Sequence, residues 1–285
     1  MALSRLSGDE QGILFVQLCN VLDPGIAVAL SSVNNELRAA THAPLQELKT
    51  GHKAAAALCR KLGHRDCKEL REAKVVRCYS RGLTADELKL LGTLGSVLPA
   101  LKELHLREPA AGPDGVQQLA AGLGAGALPA VTKLFITRTH VGDTGATALT
   151  AALGKGALPR LKILTLRNAT FGDTGLVALA PALRRRPALE GLYLNVNPLG
   201  DKGLAALVAP PPPPAGAPPP TTGGLAQLRM LDLRDTQVTD DGCATLAAAL
   251  DSGALPALEK LYLYGIPASA AAKAAVYAAR ANLKH

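Results

Sequence analysis

A six-residue pattern of leucines recurs at nearly constant spacing along the chain. It reads L-x-x-L-x-L, with Val or Ile in a few slots, and it starts at residues 101, 131, 161, 189, 228 and 258. The starts lie 30, 30, 28, 39 and 30 residues apart. A weaker copy begins at Leu70, with Ala73 and Val75 in its later slots. A repeat of this length is one supersecondary unit that cannot bury its apolar face alone, so the units must stack side by side.

The residues after each leucine pattern predict a helix. Gly-Asp-Thr-Gly at 142–145 and 172–175, and Gly-Asp-Lys-Gly at 200–203, each precede a stretch rich in Ala and Leu. We place the Asp of these motifs at the N-cap of the helix that follows, where a carboxylate accepts backbone N–H bonds and favours the positive helix end. The segment Thr84-Ala-Asp-Glu87 opens an earlier helix as a capping box.

Each repeat therefore predicts a short strand, a turn and a helix. Period-two alternation within L-x-L puts the leucines on one side of the strand and the variable residues on the other. The predicted fold is an α/β solenoid in which parallel strands line a concave sheet and helices lie outside. Because aromatic residues make up only 3% of the chain, its core must be built from Leu, Ala and Val.

The repeats resemble the leucine-rich-repeat family, and in particular its ribonuclease-inhibitor-like subfamily, whose units read L-x-x-L-x-L-x-x-N-x-L. The resemblance covers about residues 70–285 and implies a horseshoe that binds proteins. No ribonuclease-inhibitor activity follows from it, since the fold hosts many partners. The family's Asn appears only as Asn197, and we expect a less regular turn elsewhere, where the slot holds Pro109, Thr139, Ala169, Thr236 and Ile266.

The sequence predicts two regions, a helical N-terminal region at residues 1–66 and the solenoid at 67–285. A proline-rich run at residues 210–220 accounts for the one spacing of 39 residues, and we expect it to loop out as polyproline II. Two interpretations stay open for this run: a ligand for a proline-recognition domain, or a tolerated surface insertion.

Residues 10–40 resemble an F-box. A helical run ends in Leu22-Asp23-Pro24, and a second run with Ile26, Val28 and Leu30 continues through Val33 to Leu37 at helical spacing. The family's opening Leu-Pro is replaced by Glu10-Gln11 here. The resemblance implies contact with a Skp-type adaptor of a ubiquitin ligase. The alternative is that the whole N-terminal region is a cap for the solenoid.

Composition and motifs argue against several function classes. The formal net charge of +8 permits an acidic partner, but the basic residues are spread along the chain without aromatic platforms, so we predict no nucleic-acid site. No phosphate-binding loop, serine elbow or zinc-protease motif is present, and we predict neither an enzyme nor a cofactor. Cys59, His64 and Cys67 lack a suitably spaced fourth ligand, which favours buried thiols over a metal site.

The start of the chain lacks the pattern of a secretory leader. Asp9 and Glu10 lie where the apolar run of a leader would begin, and residues 13–22 are too short to span a membrane. We therefore expect a cytoplasmic or nuclear protein that does not bind membranes.

The predicted partner-binding site is the outward side of the strands, where Tyr and Arg, the residue types that anchor interfaces, are concentrated. Phe135, Tyr193 and Tyr262 occupy one column. This predicted face carries nine Lys/Arg and six Asp/Glu, the acids being Glu103, Glu108, Glu190, Asp232, Asp235 and Glu259. The residues that we expect to contact the partner are His105, Arg107, Phe135, Arg138, Arg167, Tyr193, Asn195, Arg234, Tyr262 and Tyr264.

Three functions remain open at this point. The first is a protein-binding scaffold whose partner has an acidic surface. The second is a substrate receptor of a ubiquitin ligase, with residues 10–40 on the adaptor. The third is a small-GTPase activator, because activators of the RanGAP class share the repeat.

Overall fold

The computed structural model describes residues 20–33, 35–208 and 224–284. The chain divides into two compact units, one formed by residues 1–73 with 97–100 and the other by residues 74–96 with 101–285. The proline-rich run at 210–220 and most of the helix predicted before Leu22 lie outside the described residues. The boundary that we predicted at residue 66 stays a prediction.

The first unit contains three described helices, α1 (Gly25–Ser31), α2 (Asn35–Leu62) and α3 (Cys67–Glu72). Ala27 of α1 and Leu45 of α2 form a small buried cluster, with Leu30 and Leu48 packed against it. Helix α3 is N-capped by Asp66, whose carboxylate accepts a 2.8 Å hydrogen bond from the Glu69 N–H. The prediction that residues 1–66 are helical is confirmed for the described part.

The helical run predicted from Ile26 through Val33 is interrupted. Helix α1 ends at Ser31, and the hydroxyl of Ser32 donates a 2.7 Å hydrogen bond to the Ala29 carbonyl. A serine hydroxyl that bonds nearby backbone in this way competes with continued helix. Ile26 and Val28 of α1, and Val33 after it, are 53%, 46% and 63% exposed.

The second unit is a single sheet of seven parallel strands in sequence order, with a helix after each strand. This architecture confirms the leucine-rich-repeat fold class. The strands are β1 (Val75–Tyr79), β2 (Glu103–Arg107), β3 (Lys133–Ile136), β4 (Ile163–Thr165), β5 (Gly191–Tyr193), β6 (Met230–Asp232) and β7 (Lys260–Tyr262). The helices are α4 (Ala85–Thr93), α5 (Gly112–Gly122), α6 (Gly142–Gly154), α7 (Asp173–Arg184), α8 (Asp201–Val208), α9 (Asp240–Asp251) and α10 (Ala270–Ala278). Short 3₁₀ turns occupy Leu94–Val97 and Pro109–Ala111.

The leucine register predicted for the six strong repeats is confirmed. Equivalent leucines pair from strand to strand, and all are at most 2% exposed: Leu104, Leu134, Leu164, Leu192, Leu231 and Leu261. The phase predicted for the weak first copy is wrong. Val76 pairs with Leu104 and Cys78 with Leu106, so Val76 and Cys78 fill the slots that we had assigned to Ala73 and Val75.

The aspartates of the Gly-Asp motifs do not cap their own helices, which corrects the N-cap prediction. Asp143 and Asp173 lie inside the first turn of α6 and α7. The Oδ1 atom of Asp143 accepts hydrogen bonds from the N–H groups of Gly172 and Gly175, at 2.8 and 3.0 Å, in the next repeat. Helices α7 and α8 are thus capped by the aspartate of the repeat before them. At α4 the predicted capping box of Thr84 and Glu87 is confirmed.

Where the family's Asn is present, its side chain makes hydrogen bonds that hold the turn after the strand. The Asn197 side chain donates to the carbonyls of Leu166 and Leu194 at 2.7 and 2.8 Å, and its oxygen accepts from the Ala169 N–H at 2.9 Å. Thr236 makes a single comparable bond, to the Leu233 carbonyl at 2.7 Å. Threonine therefore replaces the amide only in part, as the sequence predicts.

The alanine-rich stretch from Ala268 to Lys284 predicts a single helix, and the observed helix is shorter. Helix α10 ends at Ala278, and the chain then returns to the sheet. The Lys284 N–H donates to the Glu259 carbonyl at 2.8 Å, and its carbonyl accepts from the Leu261 N–H at 3.0 Å. Lys284 thus pairs with the outer edge of β7.

Candidate protein-binding face

The side chains at the middle of the seven strands form one row across the sheet. Strand pairing aligns them in the order Arg77, His105, Phe135, Thr165, Tyr193, Asp232 and Tyr262. The predicted column of Phe135, Tyr193 and Tyr262 therefore exists, with Thr165 and Asp232 between its members. We call the side of the sheet that carries this row the strand face.

An aromatic cluster occupies the strand face on β1 to β3. The imidazole of His105 stacks on the ring of Phe135, with the ring centroids 4.3 Å apart and the planes at 17°. Tyr79 meets His105 edge-on, and its hydroxyl lies 3.2 Å from Nδ1. Sequence reasoning missed Tyr79 because the first copy of the repeat was placed in the wrong phase.

Charges at the amino-terminal ends of the strands are matched between repeats. The Glu103 carboxylate accepts from Lys133 Nζ at 2.9 Å and lies 3.1 Å from His105 Nε2. These two hydrogen bonds lower the pKa of Glu103, that from Lys133 being the larger cause. Two further salt bridges follow along the same ends, between Lys162 and Glu190 at 2.7 Å and between Arg229 and Glu259 at 2.6 Å. Such exposed pairs contribute little stability, but they neutralise this part of the face.

A second cluster lies on β5 to β7, around Arg234. Its guanidinium forms two hydrogen bonds with the buried carboxylate of Asp232, at 2.9 and 2.6 Å. The same guanidinium lies over the Tyr262 ring, 5.2 Å from the centroid. Neighbouring Tyr193 is half-buried, and burial is the main cause that raises the pKa of its hydroxyl. Arg234 is therefore held in one orientation with its charge compensated.

Asn195 is wrongly predicted as a contact residue, because it is only 3% exposed. Strand β5 ends at Tyr193, and beyond that point the alternation of inward and outward side chains no longer applies. The Asn197 amide lies 3.3 Å from the Asn195 carbonyl, which bends the backbone into the turn.

Glu108 and Asp232, counted above among the outward acids, are also buried, at 1% and 0% exposure. The Glu108 carboxylate accepts from the N–H groups of Arg81, Gly82 and Leu83, at 2.7 to 3.3 Å. The carboxylate thus serves as the hydrogen-bond acceptor of the turn after β1. Neither carboxylate is therefore available to a partner at the surface.

Three predicted arginines, Arg107, Arg138 and Arg167, are exposed at or just beyond the carboxyl ends of β2, β3 and β4. None of them forms a salt bridge with any residue that the structure describes. Tyr264, after β7, is 80% exposed. With His105, Phe135, Tyr193, Arg234 and Tyr262, nine of the ten predicted contact residues lie on or beside the exposed strand face.

One segment of the chain is similar to a known protein family. A leucine-rich repeat family model matches residues 227–247. The matched segment covers β6 and the start of α9, which is one leucine-rich repeat of the seven. A crystal structure of internalin C2 from Listeria monocytogenes is similar to this chain at 18% identity, with a TM-score of 0.43, over 78% of this chain and 79% of that one. Curated protein sequences gave no match.

Two basic residues on the helix side of the leucine-rich repeats, Arg184 and Arg186, are bound to the backbone. The Arg186 guanidinium donates to the carbonyls of Leu153 and Ala157 at 2.6 and 2.8 Å, in the preceding repeat. Arg184 donates to the Ala206 carbonyl at 3.0 Å in the following one. These arginines close helix ends and are half-buried, so they offer little to a partner.

Two thiols lie close together in the described part of the first unit. Cys59 and Cys67 lie with their sulfur atoms 3.6 Å apart, and burial is the main cause that raises the pKa of Cys59 to about 12. In the described part of the chain, no three or more His, Cys, Asp or Glu side chains are arranged to hold a metal ion. None of its helices combines the length and the apolar character that crossing a bilayer requires.

Proposed function

We propose that this chain is a non-enzymatic scaffold that binds a partner protein on its strand face. The observation that carries the proposal is the distribution of aromatic side chains. Of eight Tyr and Phe residues in the whole sequence, five lie on or beside this face: Tyr79, Phe135, Tyr193, Tyr262 and Tyr264. Aromatic side chains and arginine are the types that dominate binding energy at protein interfaces.

The local order of the two clusters supports this function. His105 is fixed by Phe135, Tyr79 and Glu103, while Arg234 is fixed by Asp232 and Tyr262. Side chains that are already held in one orientation lose less conformational entropy when a partner binds. Strands about 4.8 Å apart then present both clusters on one continuous surface.

The charge of the face favours an acidic partner. Of the six strand-face acids, two are buried, Glu108 and Asp232, and three are paired with a Lys or Arg, namely Glu103, Glu190 and Glu259. Asp235 is the remaining acid. Unpaired arginines remain. Electrostatic attraction of this kind raises the association rate and weakens as salt screens it.

Site-specific photo-crosslinking tests the proposal. One protein carries p-benzoyl-phenylalanine in place of Tyr193 on the strand face, and a matched protein carries it in place of Val177, which is 46% exposed on α7. After irradiation in extract of the source cells, we expect one discrete adduct from the Tyr193 position and none from the Val177 position. The reverse pattern would place the partner on the helices and refute the proposal.

A second function, receptor for a Skp-type adaptor, is favoured by one observation in the first unit. Ile26, Val28 and Val33 are exposed, and all three lie in the segment that resembles an F-box. Exposed apolar side chains close together are typical of a protein contact. Size-exclusion chromatography with purified adaptor is the test: we expect a complex that Ile26→Ser with Val33→Ser abolishes and Val177→Ser leaves intact. Both functions are compatible with the cytoplasm or the nucleus.

A further inference from the structure

Three arginines of the strand face lie in consecutive repeats, at or just beyond the carboxyl ends of β2, β3 and β4. Arg107 ends β2, Arg138 lies two residues beyond β3, and Arg167 lies two residues beyond β4. All three are exposed, and none pairs with an acid among residues 20–33, 35–208 and 224–284. We call these three residues the arginine edge.

The register of β2 to β4 places the arginine edge on three adjacent strands, with Arg138 one residue farther along its strand than Arg107 and Arg167. The Arg138 N–H donates to the Arg167 carbonyl at 3.0 Å, and the Thr137 N–H donates to the Leu106 carbonyl at 2.9 Å. Since adjacent strands lie about 4.8 Å apart, the three backbone positions fall within about 10 Å. An extended peptide rises about 3.4 Å per residue, so about four of its residues span this distance when it crosses the strands.

Nearby acids do not neutralise the arginine edge because they serve the backbone. Glu108 is buried and accepts three N–H groups of the turn after β1. Asp143 and Asp173 accept the first N–H groups of α7 and α8. On β6, in contrast, Arg234 has its own carboxylate in Asp232. Uncompensated positive charge is therefore concentrated on the β2 to β4 side of the face.

The aromatic cluster adjoins this charge. Tyr79 pairs with Arg107 across β1 and β2, and Phe135 lies three residues before Arg138. The stacked pair of His105 and Phe135 offers an apolar surface on β2 and β3, the strands that lead to Arg107 and Arg138. A ligand that satisfies both must carry several anionic groups and an apolar side chain within a short length.

We propose that the arginine edge binds an extended acidic segment of the partner protein, rich in Asp or Glu and carrying an aromatic or aliphatic residue that packs on His105 and Phe135. This inference rests on the proposed function and specifies the partner of the same face. Guanidinium groups bind carboxylates through paired hydrogen bonds, which a flexible acidic segment supplies at several positions. An acidic segment without defined structure loses conformational entropy when it becomes ordered on binding. A surface whose side chains are already ordered keeps the total entropy loss of the complex small.

Fluorescence anisotropy with the full chain tests the inference. The probe is a short fluorescein-labelled peptide of alternating Glu and Ser with one central Tyr. The test protein carries Arg107→Gln, Arg138→Gln and Arg167→Gln. The matched control carries Lys155→Gln, Arg160→Gln and Arg185→Gln, which remove the same charge at exposed positions away from the strand face. A urea melt of each variant verifies that it folds.

We expect the arginine-edge variant to raise the Kd of the probe at least about tenfold and the control by less than about twofold. Rising NaCl should weaken the wild-type complex, and the same peptide with Gln for Glu should not bind. Equal weakening by both variants would show attraction to net charge alone and overturn the inference. Displacement of the probe by single-stranded RNA of similar length at a lower concentration than unlabelled peptide would overturn it in favour of nucleic acid.

The two proposals fail in different ways. If the crosslinked adduct at the Tyr193 position survives in the arginine-edge variant and the acidic peptide does not bind wild type, the acidic segment is wrong and the binding face stands. If no adduct forms at that position in the otherwise wild-type chain, the proposed function itself is wrong.

Discussion

Asp173, in the first turn of one helix, accepts a 2.9 Å hydrogen bond from the backbone N–H of Gly203 in the next repeat. The same oxygen accepts from the Gly200 N–H at 2.7 Å. Asp143 repeats this arrangement one unit earlier, and Asp201 and Asp240 make related bonds to Thr239 and Ser269. Neighbouring repeats are thus joined by side-chain caps as well as by apolar packing, and the stability of a repeat protein depends on such nearest-neighbour contacts.

Asp173→Ala should lower the free energy of unfolding by about 1–2 kcal/mol, because it leaves two helix N-terminal N–H groups without their acceptor. Urea denaturation followed by circular dichroism measures the effect. Asp251→Ala, at an exposed position at the end of α9, is the control and should change stability by less than about 0.5 kcal/mol. Equal effects of the two changes would contradict the capping role.

Gly203→Ala should destabilise the protein, although alanine is favoured over glycine inside an ordinary helix by about 1 kcal/mol. A Cβ at this position would lie 2.8 Å from Asp173 Oδ1, so the carboxylate would have to move away from its N–H donors. Gly154→Ala in α6 is the matched change, since a Cβ there meets nothing within 4 Å. Thermal unfolding should give a lower Tm for the first variant and an equal or higher Tm for the second. A higher Tm for both would show that the close approach is not required.

Leu164→Ala should cost about 2–5 kcal/mol, because Leu164 is 2% exposed and its removal leaves a cavity between two neighbouring leucines of the same row. The comparison is Val177→Ala on the exposed side of α7, for which we expect less than about 0.5 kcal/mol. Both are measured by urea denaturation. An unchanged unfolding midpoint for Leu164→Ala would mean that the repeat register is wrong.

Asn197→Ala should destabilise more than Thr236→Ala, although both residues fill the same slot of the repeat. The Asn197 side chain satisfies backbone groups of Leu166, Leu194 and Ala169, whereas Thr236 satisfies only the Leu233 carbonyl. Each buried group left without a partner costs about 1–3 kcal/mol. Chemical denaturation of the two variants side by side gives the order. The opposite order would show that the turn does not depend on the amide.

The described cysteines should react slowly with Ellman's reagent in the native protein. Burial is the largest cause that raises the pKa of both Cys59 and Cys78 to about 12, so at pH 8 only roughly one thiol in ten thousand is ionised. The measurement uses a Cys19→Ser protein, because residue 19 lies outside the described residues. Labelling should be fast in urea and slow without it. Rapid labelling of the native protein would show that these thiols are accessible.

The sequence predicts most of the solenoid because leucine spacing reports directly on burial. Residues such as Leu134 and Leu192 recur at the repeat length, and their register follows from period-two alternation. The phase of the first strand was missed because Val76 and Cys78 occupy slots that leucine fills elsewhere. The same phase error caused Tyr79, which completes the aromatic cluster, to be missed.

Two of the errors at the candidate site have the same physical origin. Alternation predicts exposure only while the backbone stays extended, and Asn195 and Glu108 lie just beyond their strands. Hydrogen bonds between repeats, such as that from Gly175 to Asp143, join residues 32 positions apart and leave no local pattern. The glycine two positions after each motif aspartate was nevertheless visible in the sequence. At Gly175 and Gly203 it leaves room for the carboxylate of the preceding repeat.

Lys284, which belongs to no repeat strand, pairs with the outer edge of the last strand of the sheet. By pairing with Glu259 and Leu261 it uses backbone groups on the outer edge of β7 that another strand would need. Tyr277 adds to this through its hydroxyl, which donates to the Leu261 carbonyl at 3.1 Å. A repeat duplicated during evolution could therefore not pair fully with β7, because Lys284 already uses part of that edge. Between two internal repeats it would find neighbours with the same strand and helix arrangement as its own. We expect homologues with more repeats to have gained them by insertion within the array, with the final helix and its returning strand inherited unchanged.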